Sequence, residues 1–250
     1  MRATGETVDP AEIARFAAQA RSWWDPAGSF QPLHRLNPAR LDFIRRELDA
    51  HFGREPRSLT PFAGLTLCDI GCGGGLIAEP LARLGFTATA IDADDEAIEI
   101  ARDHAAAGGL DIDYRAGTAE SLVEAGAQFD VVLALEIVEH VADLEAFLAA
   151  CGRLVKPGGA FIGATLNRTP QSYALAIVGA EYVMRWLPRG THDWRRFLRP
   201  SEFVLGLRRA GLNATRLSGL RYRLTQSDWA MSDDLSVNYM VMAAKTRRCG

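Results

Sequence analysis

Apolar and polar residues follow two different spacings along the chain from about residue 65 onward. Short apolar runs at 65–70, 86–91 and 129–135 have the length and composition of buried strands. Between them lie longer segments in which apolar residues recur at helical spacing and which end at glycines. The pattern predicts an α/β fold in which a mostly parallel sheet is flanked by helices on both faces.

Residues 1–64 precede this alternation and carry helical patterns instead. Asp9-Pro10 and Asn37-Pro38 each indicate a helix start, because proline is favoured in the first turn of a helix. We expect the two helices to form an N-terminal cap over the ligand edge of the sheet. The aromatic pair Trp23-Trp24 lies between them and is either part of the core or a lid for an aromatic substrate.

Residues 167–200 interrupt the alternation after the strand expected at 160–166. We expect an apolar helix at 173–187, and its flanks are basic. Between residues 168 and 199, six arginines stand against two acidic residues, a charge of +4. An apolar helix with basic flanks and with Trp and Tyr residues is typical of a segment that lies in a membrane surface. The alternative is an inserted lid that packs on the substrate pocket.

Composition is that of an ordinary globular protein, with 48% hydrophobic and 24% charged residues in 250. The length suits a single domain over 1–250, with its core at 65–166. A net charge of −3 argues against a nucleic-acid partner, and the four cysteines lack the paired spacing of a zinc site. Neither a signal segment nor an uncharged apolar run of about 18 residues occurs. We therefore expect a cytoplasmic protein, placed peripherally at the inner face of the membrane if the insert binds lipid.

A glycine-rich segment, Gly71-Cys72-Gly73-Gly74-Gly75, directly follows the first expected strand. Glycines at such a turn allow positive φ and let the backbone approach a ligand closely, while the next helix offers its N-terminal amides. The window from Gly73 to Ala78 also fits the fingerprint of nicotinamide and flavin enzymes. The carboxylate of Asp69, however, would repel a pyrophosphate and attract an ammonium group. The loop therefore favours a cationic cofactor.

Asp92 ends the second expected strand, at the edge where open α/β sheets bind ligands. It lies 21 residues beyond Gly71, close to the spacing of about 20 residues at which an acidic side chain contacts ribose hydroxyls. The alternative is that Asp92 caps the helix that we expect from about Ala93.

The segment 67–75, followed by Ile91-Asp92, resembles motif I and the next acidic motif of class I S-adenosylmethionine-dependent methyltransferases. The resemblance implies a Rossmann-like fold and S-adenosylmethionine as the cofactor. It assigns the methionine part of the cofactor to Gly71 and Gly73, its amino group to Asp69 and its ribose hydroxyls to Asp92.

Glu136, Glu139 and His140 follow the strand expected at 129–135 and should therefore lie at the same edge. In a helical turn, these side chains at i, i+3 and i+4 would converge. Two carboxylates and an imidazole then form a site for Mg²⁺ or another divalent cation, which would lower the pKa of a bound phenol. Alternatively, the side chains cap a helix or line the cofactor pocket, or His140 acts without a metal as the general base.

Motifs over nearly the whole chain narrow the resemblance to the ubiquinone-biosynthesis O-methyltransferases. These motifs are Asn37-Pro38-Ala39-Arg40, Thr165-Leu166-Asn167-Arg168, 178–182, 188–194 and 237–240. The resemblance implies that Arg40 reaches the cofactor carboxylate and that Leu135 lines the cofactor site. It places Ala119 near the adenine, although Thr118 stands where an acidic residue is common. Glu136, Glu139 and His140 match metal positions proposed in eukaryotic relatives.

The activity implied by the resemblance is methylation of catechol-type hydroxyls on polyprenylated ubiquinone precursors, 2-polyprenyl-6-hydroxyphenol and 3-demethylubiquinol. One site would serve two O-methylation steps, and the protein would associate with other enzymes of ubiquinone biosynthesis. Two alternatives stay open at this point. One is a class I methyltransferase for another small phenol or lipid, and the other is a non-catalytic, cofactor-binding adaptor at the membrane.

Overall fold

One eight-stranded sheet forms the centre of the structure, in the order β3-β2-β1-β4-β5-β8-β6-β7. The computed structural model describes residues 22–55, 57–175, 193–223, 225–226 and 228–247. Strands β1 to β5 pair in parallel, whereas β8 runs antiparallel to β5 and β6, and β7 antiparallel to β6. The strands are β1 Thr66–Ile70, β2 Thr87–Asp92, β3 Asp113–Ala116, β4 Phe129–Leu135, β5 Val155–Leu166, β6 Leu212–Arg223, β7 Asp228–Ser232 and β8 Asn238–Lys245. The predicted mostly parallel sheet is confirmed.

Helices cover both faces of this sheet. They are α1 Gln31–Phe52, α2 Ala78–Arg83, α3 Asp95–Ala107, α4 Ala119–Glu124, α5 Leu144–Leu154, α6 Pro170–Ser172 and α7 Pro200–Arg209, with a 3₁₀ turn at Trp194–Arg196. None of the helices in the described part of the chain combines the length and apolar character that crossing a bilayer requires.

The core lies in two layers because alternate residues of the central strands face opposite sides. On β4, Val131 and Leu133 pack with α1 and α2, whereas Val132 and Ala134 pack with α5 and α7. All four are fully buried, which explains why this strand reads as a continuous apolar run. The strand order reverses at β1, which lies between β2 and β4, and ligands bind open α/β sheets at the carboxyl ends of strands at such a point.

The N-terminal cap differs from its prediction in two ways. Helix α1 begins at Gln31, with Pro32 in its first turn, and Pro38 lies inside the helix rather than at its start. An interior proline removes one backbone hydrogen bond of the helix. Burial of Leu36, Phe43 and Ile44 against the sheet offsets the free energy lost with that bond. The helix also runs along one face of the sheet and reaches the ligand edge only with its first half. The other cap helix falls largely within 1–21, outside the described residues.

Sequence patterns missed α4 and the β6–β7 hairpin. Strand β6 extends over 12 residues to Arg223, because its second half pairs with β7. The residues of β7 are all half-buried and show no apolar alternation. Strand β5 begins at Val155 instead of 160, and β8 begins at Asn238. The apolar helix expected at 173–187 lies mostly within 176–192, outside the described residues.

Candidate cofactor and acceptor site

The glycine loop after β1 adopts the left-handed turns that its sequence requires. Gly71, Gly73 and Gly75 have φ values of 73°, 51° and 88°, which side chains with a Cβ rarely adopt. The N–H groups of Gly71 and Cys72 both donate to the carbonyl oxygen of Ile91, at 2.8 and 3.0 Å. The loop is therefore fastened to the end of β2, one residue before Asp92.

Asp92 connects this loop with the start of α3. Its Oδ2 accepts a hydrogen bond from the Gly73 N–H at 2.8 Å, and its Oδ1 accepts one from the Asp94 N–H at 3.0 Å. Asp94 is the N-cap of α3, since its own Oδ1 accepts from the Glu96 N–H. The alternative in which Asp92 caps this helix is therefore wrong. Burial raises the pKa of Asp92, and its backbone donors partly offset that rise.

Asp69 presents an uncompensated carboxylate beneath the loop. The residue is 3% exposed, and its buried Oδ2 has no hydrogen-bond partner. Burial, and then the nearby charge of Asp92, raises the pKa of Asp69 to about 7. A buried acceptor without a partner is rare in native proteins and points to a group that binds there. The Asp69 carboxylate, as a hydrogen-bond acceptor, fits the ammonium group of S-adenosylmethionine. The positive charge of that group would compensate the negative charge of Asp69.

The aromatic segment at Trp23-Trp24 covers the glycine loop. From the sequence, this pair is either part of the core or a lid for an aromatic substrate. Trp23 packs so closely that a Cβ added at Gly73 would lie 2.4 Å from its ring, and one added at Gly74 would lie 2.5 Å from its Cβ. Its buried Nε1 has no hydrogen-bond partner, and the ring stacks on Phe30 with centroids 3.7 Å apart. Trp23 is therefore part of the wall of the loop. The two adjacent tryptophans in the sequence indicate a covering aromatic segment, but they do not indicate that this segment covers the glycine loop.

Trp24 fastens the same segment to α3. Its Nε1 donates to the Gly74 carbonyl oxygen at 2.9 Å, and its ring lies parallel to that of His104 at 3.4 Å. The Nδ1 of His104 is in turn 2.6 Å from an oxygen of Glu79 on α2, which is 2% exposed. These contacts join the cap to both helices that follow the loop.

Arg40 extends from α1 to the carboxyl end of β4. It is 3% exposed, and its Nη2 donates to Glu136 Oε1 at 2.8 Å, while its Nη1 donates to Asn37 Oδ1 at 3.2 Å. Leu135, the last residue of β4, is half-buried beside this pair. Ala119 begins α4 and is buried in the apolar core, with Thr118 as the N-cap.

Glu136, Glu139 and His140 do not form the helical turn that the spacing predicts. Glu136 has a left-handed φ of 52°, and the chain then makes a tight turn in which the His140 N–H donates to the Ile137 carbonyl at 2.9 Å. The expected convergence of the three side chains is therefore wrong. Across the described ranges, no three His, Cys, Asp or Glu side chains form a group that could hold a metal ion.

Glu139 is instead a buried carboxyl group. Its Oε2 accepts a hydrogen bond from Thr165 Oγ1 at 2.9 Å, and its Oε1 has no partner. Burial and the adjacent Glu136 raise the pKa of Glu139 well above its usual range. The carboxyl end of β4 thus carries one carboxylate neutralised by Arg40 and one carboxyl group that is favoured in its protonated form.

Known proteins match both the core and the whole chain. Residues 68–163 match the family model of a methyltransferase domain. The ubiquinone biosynthesis O-methyltransferase of Paramagnetospirillum magneticum is 53% identical over 239 residues, 96% of each chain. That of Ruegeria pomeroyi is 54% identical over 248 residues, 99% of this chain and 100% of the relative. The chain belongs to the ubiquinone biosynthesis O-methyltransferases.

Solved structures share the fold at low identity. A magnesium protoporphyrin IX methyltransferase from Synechocystis, solved with bound S-adenosylhomocysteine, aligns with a TM-score of 0.62 at 17% identity, over 93% of this chain and 94% of that one. A possible histamine N-methyltransferase from Thermotoga maritima aligns with a TM-score of 0.62 at 18% identity, over 94% and 99%. These likenesses confirm the Rossmann-like methyltransferase fold.

We expect Asp92→Ala to lower the affinity for S-adenosylhomocysteine by at least about 100-fold, because it removes the acceptor of the Gly73 N–H and the proposed ribose ligand. Isothermal titration calorimetry measures this change. Asp94→Ala is the matched control, since the Oδ1 of this nearby carboxylate caps α3 by accepting the Glu96 N–H and no cofactor group is assigned to it. That variant should lose about 1 kcal/mol of stability and keep its affinity. Unchanged affinity in Asp92→Ala would refute the assignment to the ribose.

A second prediction concerns pH. The native Asp69 carboxyl keeps its proton to a higher pH than in the unfolded chain, so the unliganded protein should lose stability as the pH rises from about 4 through about 7.

A bound ammonium group lowers the pKa of Asp69, so binding should release a proton and tighten as the pH rises from about 6 to about 8. Calorimetry at about pH 6.5 in buffers of different ionisation enthalpy detects the proton. Asp69→Asn should bind more weakly and release none, and equal proton release in both proteins would contradict the assignment.

Proposed function

We propose that this protein transfers the methyl group of S-adenosylmethionine to catechol-type hydroxyls of 2-polyprenyl-6-hydroxyphenol and 3-demethylubiquinol, the two O-methylation steps of ubiquinone biosynthesis. The observation that carries the proposal is identity of 53–54% over nearly the full length of relatives named for ubiquinone biosynthesis O-methylation. The unpartnered Oδ2 of Asp69 supports a cofactor with a cationic group.

Each cofactor group has a partner in this proposal. Gly71 and Gly73 approach the methionine part, Asp69 binds the ammonium group, Asp92 the ribose hydroxyls and Arg40 the carboxylate, while Ala119 and Leu135 line the site. When bound, S-adenosylmethionine supplies a methyl group that the sulfonium has already activated. The protein's contribution is to hold this methyl group in line with the acceptor oxygen and to exclude water.

His140 is the proposed acceptor of the phenol proton. It follows β4 at the ligand edge and is partly exposed, and an imidazole titrates near neutral pH. The sequence pattern also predicts a divalent cation on Glu136, Glu139 and His140 as a means of activating the phenol. Because Glu136 is paired with Arg40 and the three side chains are not grouped, the arrangement does not fit a metal ion, and no step is assigned to one.

We further propose contact with a membrane surface through residues 168–199. Tyr173 and Leu175, at the start of this segment, are 49% and 57% exposed, and Tyr173 lies beside Trp194, with ring centroids 6.3 Å apart. The net charge of the segment is +4. Apolar and aromatic side chains with nearby arginines favour an anionic lipid surface. A cytoplasmic protein held at the inner face of the membrane, and its association with other enzymes of the pathway, remain predictions.

The substrate is tested by measuring methyl transfer to a polyprenyl catechol and to a short-chain catechol side by side in detergent. We expect a kcat/KM at least about tenfold higher for the polyprenyl acceptor, because apolar contacts with the chain contribute to binding. Equal values would favour the alternative of a methyltransferase for another small phenol. Absence of transfer to either acceptor would favour the adaptor.

Lipid contact is tested by sedimentation with anionic vesicles. We expect Leu175→Glu to lower the fraction bound, with an apparent partition coefficient reduced about tenfold, because it removes an apolar contact and adds a negative charge. The matched control is Leu59→Glu, at a leucine that is 87% exposed in the loop before β1, on the opposite edge of the sheet. If both variants sediment like the unmodified protein, the membrane contact does not involve this end of the segment.

A further inference from the structure

A buried polar chain crosses from the cap to the sheet at the ligand edge. Asn37 Oδ1 accepts from Arg40 Nη1 at 3.2 Å, and Arg40 Nη2 donates to Glu136 Oε1 at 2.8 Å. Beside Glu136 lies the buried Glu139, whose Oε2 accepts a hydrogen bond from Thr165 Oγ1 at 2.9 Å. Arg40 is thus the cation at the centre of this chain, and Glu136 is the anion that compensates it.

Glu136 holds this position in an unfavourable backbone conformation. It is the one non-glycine residue with positive φ in the described ranges, and its N–H donates to the Ala164 carbonyl oxygen at 2.9 Å. Its side chain is 24% exposed, whereas that of Arg40 is 4% exposed. The carboxylate therefore has a route to solvent that the guanidinium lacks. Strained residues of this kind concentrate where a side chain has to serve a ligand.

Arg40 retains unused capacity to bind an anion. Its Nε is buried and has no hydrogen-bond partner, and a guanidinium offers five donors in a planar fork that matches a carboxylate. A buried guanidinium that loses its anion is strongly unfavourable, but exchange of one carboxylate for another leaves the charge compensated. Asn37 keeps Arg40 in place during such an exchange, because it contacts Nη1 rather than Nη2.

We infer that Glu136 occupies the place of the cofactor's α-carboxylate on Arg40, and that binding of S-adenosylmethionine displaces it. This inference rests on the proposed function, which assigns the cofactor carboxylate to Arg40. The displaced carboxylate turns toward the end of β4, where Glu139 and His140 lie and where the catechol is proposed to bind. Cofactor binding thus frees an acceptor for a catechol hydroxyl, so the cofactor binds before the catechol.

The test compares two ligands that differ in a single carboxylate. S-adenosylmethionine and decarboxylated S-adenosylmethionine are titrated by calorimetry, without acceptor, into the unmodified protein and into Glu136→Gln. We expect Glu136→Gln to bind S-adenosylmethionine about tenfold more tightly, because the competing carboxylate is gone, and the decarboxylated ligand with unchanged affinity. Weaker binding of S-adenosylmethionine, or an equal change for both ligands, would overturn the inference.

Two further variants separate the possible failures. Glu136→Gly removes the carboxylate and suits the positive φ, so it should reproduce the effect if glutamine disturbs the turn. Glu79→Gln neutralises another buried carboxylate, which pairs with His104 and not with Arg40, and should leave the ratio of the two affinities unchanged. Arg40→Gln should bring S-adenosylmethionine down to the affinity of the decarboxylated ligand. If it does not, the assignment of Arg40 in the proposed function fails, whereas failure of the Glu136 variants alone refutes only the exchange.

Discussion

The hydrogen bond from the Gly73 N–H to the Asp92 carboxylate is the contact on which the site depends. Strands β1 and β2 are parallel neighbours in which Ile70 pairs with Ile91, so the residues that follow them meet at one edge. The left-handed glycines let the loop turn back onto the end of β2, and Asp92 then fixes both the loop and the start of α3. A side chain at Gly71, Gly73 or Gly75 would strain this turn, and loss of the carboxylate would leave the Gly73 N–H without its acceptor.

The charges at this edge explain which kind of ligand the fold accepts. Asp69 and Asp92 lie near each other, and burial raises the pKa of both, so ionising them costs free energy. A phosphate-bearing cofactor would add to this cost, whereas an ammonium or sulfonium group reduces it. Arg40, a cation at the carboxyl end of β4, is paired with Glu136. In the proposed function, Asp69 binds a positive group and Arg40 binds a carboxylate, the two charges of an amino acid.

Local patterns predicted strands β1, β2 and β4 and the glycine loop, because each of these depends on neighbours within a few residues. Contacts between distant segments were beyond such patterns. Trp24 reaches Gly74 across 50 positions and Arg40 reaches Glu136 across 96, and no periodicity encodes either pair. Pro38 predicts a helix start because proline is favoured in the first turn of a helix, which is a local preference. Packing against the sheet instead determines where α1 begins. The predicted helical turn at Glu136 is wrong for a related reason, because residue spacing does not indicate a left-handed turn at the end of a strand.

The N-terminal cap covers the sheet and also connects separate parts of its ligand edge. Trp24, which precedes α1, fastens the cap to the glycine loop after β1, and Arg40, in the middle of α1, reaches the residue that follows β4. His51 near the end of α1 contacts the Gly158 carbonyl oxygen at the opposite edge of the sheet, which fixes the direction of the helix. The contacts of Trp24 and His51 on either side of Arg40 fix its place at the ligand edge of the sheet. The sheet therefore supplies the glycine loop, and the N-terminal segment connects that loop with the end of β4.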